Sequence, residues 1–205
     1  MHQILVGRAS EGAFTRSEME QVFRFRHRIF KERLGWDVRG ERGMERDEFD
    51  DLDPVHIAVR RSGDIIAYWR LLPSTGPYML RDTFSALLRN EAAPCDSGIW
   101  ELSRFAVDGG GLRGQATFSR VTLDLMRACY RYAESAGIHE FVTVTSVSLE
   151  RMMRAVGVPL ERFGDGRTER VGGLLCVACR VPVGERLRAA LWKPTQSGFG
   201  GRSVA

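Results

Sequence analysis

Gly98-Ile-Trp-Glu-Leu-Ser-Arg-Phe-Ala-Val-Asp108 is aliphatic and aromatic at most of its positions and reads as a strand. The loop Gly109-Gly-Gly-Leu-Arg-Gly114 follows. Phe118, Val121, Leu125, Cys129, Tyr132 and Ala136 then recur at helical spacing, which predicts a helix over residues 115–136 with these side chains inward and Gly137 as its C-cap. Glu140-Phe-Val-Thr-Val-Thr-Ser-Val147 reads as the next strand. This alternation of strand and helix places the chain in the α/β class. The glycine loop fits neither GxGxxG nor GxxxxGK[ST], so it carries little argument for a phosphate cradle.

The flanking sequence continues the pattern. Residues 17–34 predict a helix from Met19, Val22, Phe23, Arg26, Ile29 and Phe30, with Ser17 as N-cap and Glu20 three residues on. Residues 38–53 are polar and irregular. Strands are expected at 55–61 and 64–72 around a Gly63-Asp64 turn, and again at 171–183. Short helices are expected at 81–89 and 149–156. The 205 residues suit one domain over 1–190, with 191–205 as a disordered tail.

Apolar residues make 43% and charged residues 27% of the chain, which excludes a disordered chain, a coiled coil and a collagen-like fibre. No apolar run nears the roughly 20 residues that span a bilayer, and the first residues lack a signal-peptide core, so no membrane insertion and a cytoplasmic location are expected. The net charge is +4, from 28 Arg and two Lys against 26 acidic residues, and suits an acidic partner: nucleic acid, a carrier protein or an anionic cofactor. There is no helix-turn-helix pattern or basic stripe to favour nucleic acid. Cys176-Val-Ala-Cys179 has metal-like spacing but no second pair and no nearby His. Two core cysteines in a strand is the better reading, and no metal is expected.

Four features carry chemistry. Arg26 lies on the apolar face of the first helix, where a guanidinium must snorkel or meet a carboxylate. Seven of the 13 residues from Glu41 to Asp53 are acidic. They form a solvated loop, or they hold arginines or a cationic ligand. Glu101 and Arg104 interrupt an apolar strand, and Arg70 interrupts another. Strict alternation puts Glu101 and Arg104 on opposite faces, and a bulge brings them together. Three arginines (Arg26, Arg70, Arg104) and carboxylates at Asp47, Asp50 and Glu101 therefore point to a polar active site, against a purely structural ion network. Thr143 and Thr145 share one strand face, as good strand formers or as hydroxyls lining a pocket.

In order along the chain, Arg26, Phe30, Trp36, Asp47, Asp50, Arg70, Phe84, Glu101 and Arg104 resemble the signature of the LuxI-type acyl-homoserine-lactone synthases. The strings Arg28-Ile-Phe-Lys-Glu-Arg-Leu-Gly-Trp-Asp-Val38, Thr75-Gly-Pro-Tyr-Met-Leu80 and Ile99-Trp-Glu-Leu-Ser-Arg-Phe-Ala106 carry the same likeness. It runs from about residue 4 to residue 183. Gly76-Pro-Tyr-Met-Leu80, Ala93-Pro-Cys95 and Val142-Thr-Val-Thr145 tie it to the LasI-type branch.

The resemblance implies an N-acetyltransferase-like fold: a twisted mixed sheet with a V-shaped splay, flanked by helices. It implies synthesis of a quorum-sensing signal from S-adenosylmethionine, used as co-substrate with no further cofactor, and an acyl thioester on acyl-carrier protein or coenzyme A. Glu101 is then the general base, and Arg26, Arg70, Arg104, Asp47 and Asp50 the charged machinery around it. Phe30, Trp36, Ser103 and Phe105 meet S-adenosylmethionine, the rings offering flat faces to adenine and sulfonium. Met79, Leu102, Thr143, Thr145, Val147, Met152 and Met153 line the acyl pocket, a threonine meeting a 3-oxo group. Arg151, Arg154 and Arg162 face an acidic carrier protein. The alternatives are an acetyl-CoA-dependent N-acetyltransferase of similar fold and a non-catalytic regulator that binds an acyl ligand.

Overall fold

The computed structural model describes residues 1–108 and 119–193; the glycine loop at 109–114, the expected start of the long helix with Phe118, and the tail from 194 lie outside them. Among the described residues eight strands make one mixed sheet. β1 (Gln3–Arg8) pairs antiparallel with β4 (Val55–Arg61), β4 with β5 (Asp64–Pro73), and β5 with β6 (Ile99–Val107). β6 runs parallel to β7 (Glu140–Ser146), as a strand pair joined by a helical crossover does. β10 (Leu174–Pro182) pairs antiparallel with β7, and also with the short strands β8 (Glu161–Arg162) and β9 (Glu169–Val171). β2 (Gly40–Glu41) and β3 (Met44–Glu45) form a separate hairpin.

The β6–β7 pairing covers only Ile99↔Glu140 to Leu102↔Thr143. Both strands continue past that point without pairing to each other, which is the expected splay. The Thr143 hydroxyl donates to the Leu102 carbonyl (2.8 Å) where the ladder ends. Helices cover both faces. One apolar layer lies between the sheet and α3 (Arg120–Ala136), α4 (Val147–Ala155) and α5 (Glu185–Trp192), and includes Val55, Ile57, Leu102, Leu125, Phe141 and Val177. On the other face, α1 (Arg16–His27) covers Ala58 and Tyr68, and α2 (Met79–Asp82) covers Leu72 and Val142. No helix of the described residues is long and apolar enough to cross a membrane.

Several expectations are corrected. The first helix is capped by Thr15, not Ser17: Thr15 and Glu18 form a reciprocal capping box, at the same three-residue spacing as Ser17 and Glu20. Its last turn, Arg28–Arg33, is π-helical, with Leu34 N–H donating to Ile29 carbonyl (3.0 Å), and the extra residue lets the neighbours Ile29 and Phe30 both be buried. Residues 38–53 contain the β2–β3 hairpin and a 3₁₀ turn at Glu48–Leu52. The β4–β5 turn is Ser62-Gly63, both at positive φ, between the paired Arg61 and Asp64. The helix expected at 81–89 is α2 followed by a 3₁₀ turn, Ser85–Leu88.

The long helix ends at Gly137 in the left-handed conformation as expected, but Ala133 faces inward and Ala136 is exposed. The segment 171–183 breaks at Gly172-Gly173 into β9 and β10, because Gly172 has φ +57°. Cys176 and Cys179 are buried in β10, unpaired. β1 and α5 are further elements: β1 is a short edge strand with weak alternation, and α5 follows residue 183, where the likeness read from the sequence stops.

Candidate active site

Charge converges on the α1/α2 face of the sheet. Arg26 is fully buried; its Nε donates to Glu45 (2.5 Å) and its Nη1 to Asp50 (2.7 Å). Arg70, fully buried from β5, donates through Nη1 to Asp47 (2.5 Å) and Asp50 (2.8 Å), and through Nε to the Ser103 hydroxyl (3.1 Å). Arg104 pairs with Glu45 (3.0 Å) and Asp47 (2.7 Å) through Nη2. Arg70 and Arg104 both also meet the Met79 thioether.

Three guanidinium groups thus face three carboxylates, Glu45, Asp47 and Asp50, all buried. Burying one of these charges alone costs several kcal/mol, so the matched set is the condition for the cluster to exist. Asp47 and Asp50 also cap the 3₁₀ turn reciprocally, which presents both carboxylates to the arginines. Burial works to raise the Asp50 carboxyl, but Arg26 and Arg70 outweigh it and hold it well below the usual carboxylate range.

The bulge in β6 is present. Between Tyr68↔Ala106 and Arg70↔Ser103 the strand carries one extra residue, and Arg104 takes φ +58° there. A non-glycine residue in that region costs about 1–3 kcal/mol, and the ion pairs to Glu45 and Asp47 hold it in place. The expected pairing of Arg104 with Glu101 is corrected: Arg104 turns to Glu45 and Asp47. Glu45 is fully buried and belongs to the cluster; in sequence it was one of seven acidic residues with nothing to separate it from Glu41 or Glu48.

Glu101 is 1% exposed and accepts the backbone N–H groups of Met79 (2.9 Å) and Leu80 (2.6 Å) at the start of α2. Burial pushes its carboxyl up to about 7, against the lowering effect of those two amides and of Arg70 and Arg104. With the cluster already matched three to three, this fourth carboxylate has no ion-pair partner of its own among the described residues. Its proton is held loosely enough to leave near neutral pH, the property of a general base.

A cavity of about 490 Å³ opens where β6 and β7 diverge. Its charged half carries Asp47, Met79, Glu101, Ser103 and Arg104, with Phe30 and Trp36 stacked at 5.3 Å and the Arg104 guanidinium over the Phe30 ring at 5.6 Å. Its apolar half continues on the α3/α5 face, past Leu102, Phe105, Phe141 and Met153 to Leu187 and Leu191 of α5. Phe105, expected beside Phe30 and Trp36, lies in this apolar half instead and packs edge-on against Trp69 at 5.0 Å.

Thr143 and Thr145 both line the cavity, but differently. Thr143 has spent its proton on Leu102, whereas the buried Thr145 hydroxyl and the buried Trp69 indole nitrogen have no hydrogen-bond partner among the described residues. Among the expected pocket residues, Val147 and Met152 do not line the cavity; Met153 does, because a helix turns one of two consecutive side chains inward. Met79 lines it on the charged side, not among the apolar residues.

Arg151 is exposed on α4. Arg154 and Arg162 bracket the buried Glu150, Arg162 in a two-point contact at 2.6 and 2.8 Å. Arg162 and Arg154 hold the Glu150 carboxyl below its ordinary value, so part of their charge is spent inside the molecule.

The sequence profile of the autoinducer synthase family matches residues 11–191. An acyl-homoserine-lactone synthase of Vibrio anguillarum is 39% identical over 171 residues, covering 83% of this chain and 89% of its own. The crystal structure of the acyl-homoserine-lactone synthase LasI superposes with a TM-score of 0.84 at 38% identity, covering 94% of this chain and 95% of that one. The coenzyme A-dependent synthase BjaI, solved with S-adenosylmethionine and isopentyl-CoA, gives 0.80 at 26% identity over 93% and 88%. An acyl-CoA N-acyltransferase from Pseudomonas aeruginosa shares the fold, with a TM-score of 0.58 at 15% identity over 88% and 99%.

Proposed function

The chain belongs to the autoinducer synthase family, a family of acyl-homoserine-lactone synthases, and is an acyltransferase; on that premise we propose how its site makes the signal. An acyl thioester, delivered by acyl-carrier protein, acylates the amine of S-adenosylmethionine, and the product closes to an N-acyl-L-homoserine lactone. The observation that carries this reading is the two-sided cavity. Its charged half suits a zwitterionic sulfonium substrate, its apolar half suits an alkyl chain, and Glu101 and the Arg104 bulge lie where the halves meet.

Glu101, directly or through a water, takes a proton from the substrate ammonium. The freed nitrogen attacks the thioester carbonyl, and the C–S bond breaks with its electrons leaving on the carrier thiol. Backbone N–H groups at the bulge, residues 103–106, face the developing oxyanion, a role worth about 3 kcal/mol per donor. In the second step the methionyl carboxylate attacks its own γ-carbon. The bond to the sulfonium breaks, and methylthioadenosine leaves neutral. Arg104 orients that carboxylate, while Phe30 and Trp36 hold the adenosine. Folding the chain into attack geometry supplies most of this step, since the leaving group is already activated.

The free Thr145 hydroxyl favours a chain carrying oxygen near its carbonyl, a 3-oxo group above all. Arg151, exposed on α4, offers an acidic carrier protein a docking charge, and coenzyme A, itself anionic, is the donor that the assay sets against it. Incubating the protein with S-adenosylmethionine and matched carrier-protein and coenzyme A thioesters, with products read by mass spectrometry, tests all of this. Lactone and methylthioadenosine in equal amounts are expected, faster from the carrier protein. Folded protein that makes no lactone from any donor overturns the reading.

A further inference from the structure

His56 has no place in the chemistry above, yet it is buried beneath it. Its register partner across β4 and β5 is Arg70, and Tyr68 stands two residues before Arg70, so all three share the face covered by α1. His56 is 2% exposed and Tyr68 fully buried, with 2.7 Å between Nδ1 and the phenolic oxygen. Phe14 closes the other side of the imidazole, ring edge to ring at 5.5 Å. The Arg26 guanidinium lies 5.6 Å from the Tyr68 ring centroid and faces its hydroxyl.

Arg26 has one unmet need. Its Nε and Nη1 are taken by Glu45 and Asp50, but the buried Nη2 has no hydrogen-bond partner among the described residues and stands 3.8 Å from the Asp47 carboxylate. A Tyr hydroxyl helps such a group only if its lone pairs, and not its proton, point at it. We propose that His56 is a positioning residue for the charged cluster: its Nδ1 takes the Tyr68 hydroxyl proton, which turns the oxygen lone pairs toward Arg26 and fixes that guanidinium against Glu45 and Asp50. The inference rests on the reading of this cluster as the S-adenosylmethionine site.

The charge of the imidazole fits the role. The groups that face His56 are Asp50, Asp53, Tyr68, Arg26 and Arg70. Burial first, with Arg26 and Arg70 beside it, pushes the imidazole down to about 4 against Asp50 and Asp53. At neutral pH it is uncharged and accepts a proton in a hydrogen bond; charged, it would add a fourth cation to the three arginines and break the three-to-three match. A buried polar pair costs more than an apolar pair of the same shape unless its hydrogen bonds do something, and orienting Arg26 is what this geometry lets it do.

The test compares Tyr68→Phe, His56→Leu and His56→Asn in the full-length protein. The Asn amide places a polar atom near the Nδ1 position. Tyr68→Phe and His56→Leu are expected to raise KM for S-adenosylmethionine about tenfold, the size of one hydrogen bond to a charged group, with kcat and the KM for the acyl donor little changed. His56→Asn is expected to restore most of that loss. Tyr68→Phe removes one oxygen and tests the idea even where His56→Leu fails to fold. An unchanged KM for S-adenosylmethionine in folded Tyr68→Phe overturns the inference, as does a fall in kcat that tracks melting temperature alone. Wild-type protein that turns over no S-adenosylmethionine overturns the reading of the site and this inference with it.

Discussion

Replacing Glu101 by Gln separates its catalytic role from its structural one, because the two respond to pH in opposite ways. The carboxyl rises from 4.5 to about 7 in the folded protein. That difference corresponds to about 3 kcal/mol of folding stability. The folded state binds this proton more tightly than the unfolded chain, so the contribution is complete below about pH 4.5 and is lost as pH rises through 7. Glutamine carries no such dependence, but its one carbonyl serves only one of the Met79 and Leu80 amides, and the other is left short at a cost of about 1–3 kcal/mol. Glu101→Gln is therefore expected to be less stable than wild type at pH 5 and to match or exceed it at pH 8. Urea unfolding at the two pH values reads the crossing. Activity moves the other way: wild-type turnover climbs through about pH 7 as the base ionises, while the variant loses about 10²–10⁴ in kcat and keeps its affinity for S-adenosylmethionine. Parallel stability profiles refute the buried, proton-retaining carboxyl. Wild-type-like turnover in the variant refutes the base.

Three further outcomes are expected. Arg104→Ala and Arg104→Gly both abolish lactone formation, but Arg104→Gly is more stable by about 1 kcal/mol, since glycine accepts φ +58° without strain; thermal melts in which the alanine variant is the more stable contradict the bulge geometry. Met153→Ala destabilises by about 2–5 kcal/mol and shifts product toward longer or bulkier chains, whereas Met152→Ala leaves the product profile as it was, checked by mass spectrometry over an acyl panel. Thr145→Val lowers kcat/KM about tenfold for 3-oxo donors relative to unsubstituted ones, and Thr143→Val acts mainly on stability by stripping the Leu102 carbonyl of its donor; equal effects on both donors remove Thr145 from recognition.

Much of this was legible from residue order alone. Helical periodicity marks α1 and α3, each with one apolar face to a core, and short apolar runs mark β4 to β7 and β10, the central strands being covered on both faces. Arg26, Arg70 and Arg104 stand out because a charge on an apolar face needs a partner, and the acidic run from Glu41 to Asp53 offers one. What the linear pattern leaves open is which partner. Seven carboxylates crowd that run, and only the Asp47–Asp50 capping box and the β2–β3 hairpin bring Glu45, Asp47 and Asp50 inward and leave Glu41 and Glu48 outside.

The same limit explains the other differences. Strand alternation sets Glu101 opposite Arg104, and one extra residue at the bulge decides that Arg104 meets Glu45 and Asp47 while Glu101 binds two amides of α2. Spacing cannot choose Met153 over Met152, or a free Thr145 over a bonded Thr143, because both depend on where β6 and β7 part. His56 and Tyr68 carry no local signal at all: each reads as an ordinary strand residue, and 12 residues of hairpin bring them together beneath Arg26. Local pattern determines which segments form and which charges must be paired. The pairing itself is a property of three-dimensional packing, since a buried charge selects its partner by distance and geometry among all that the fold brings near.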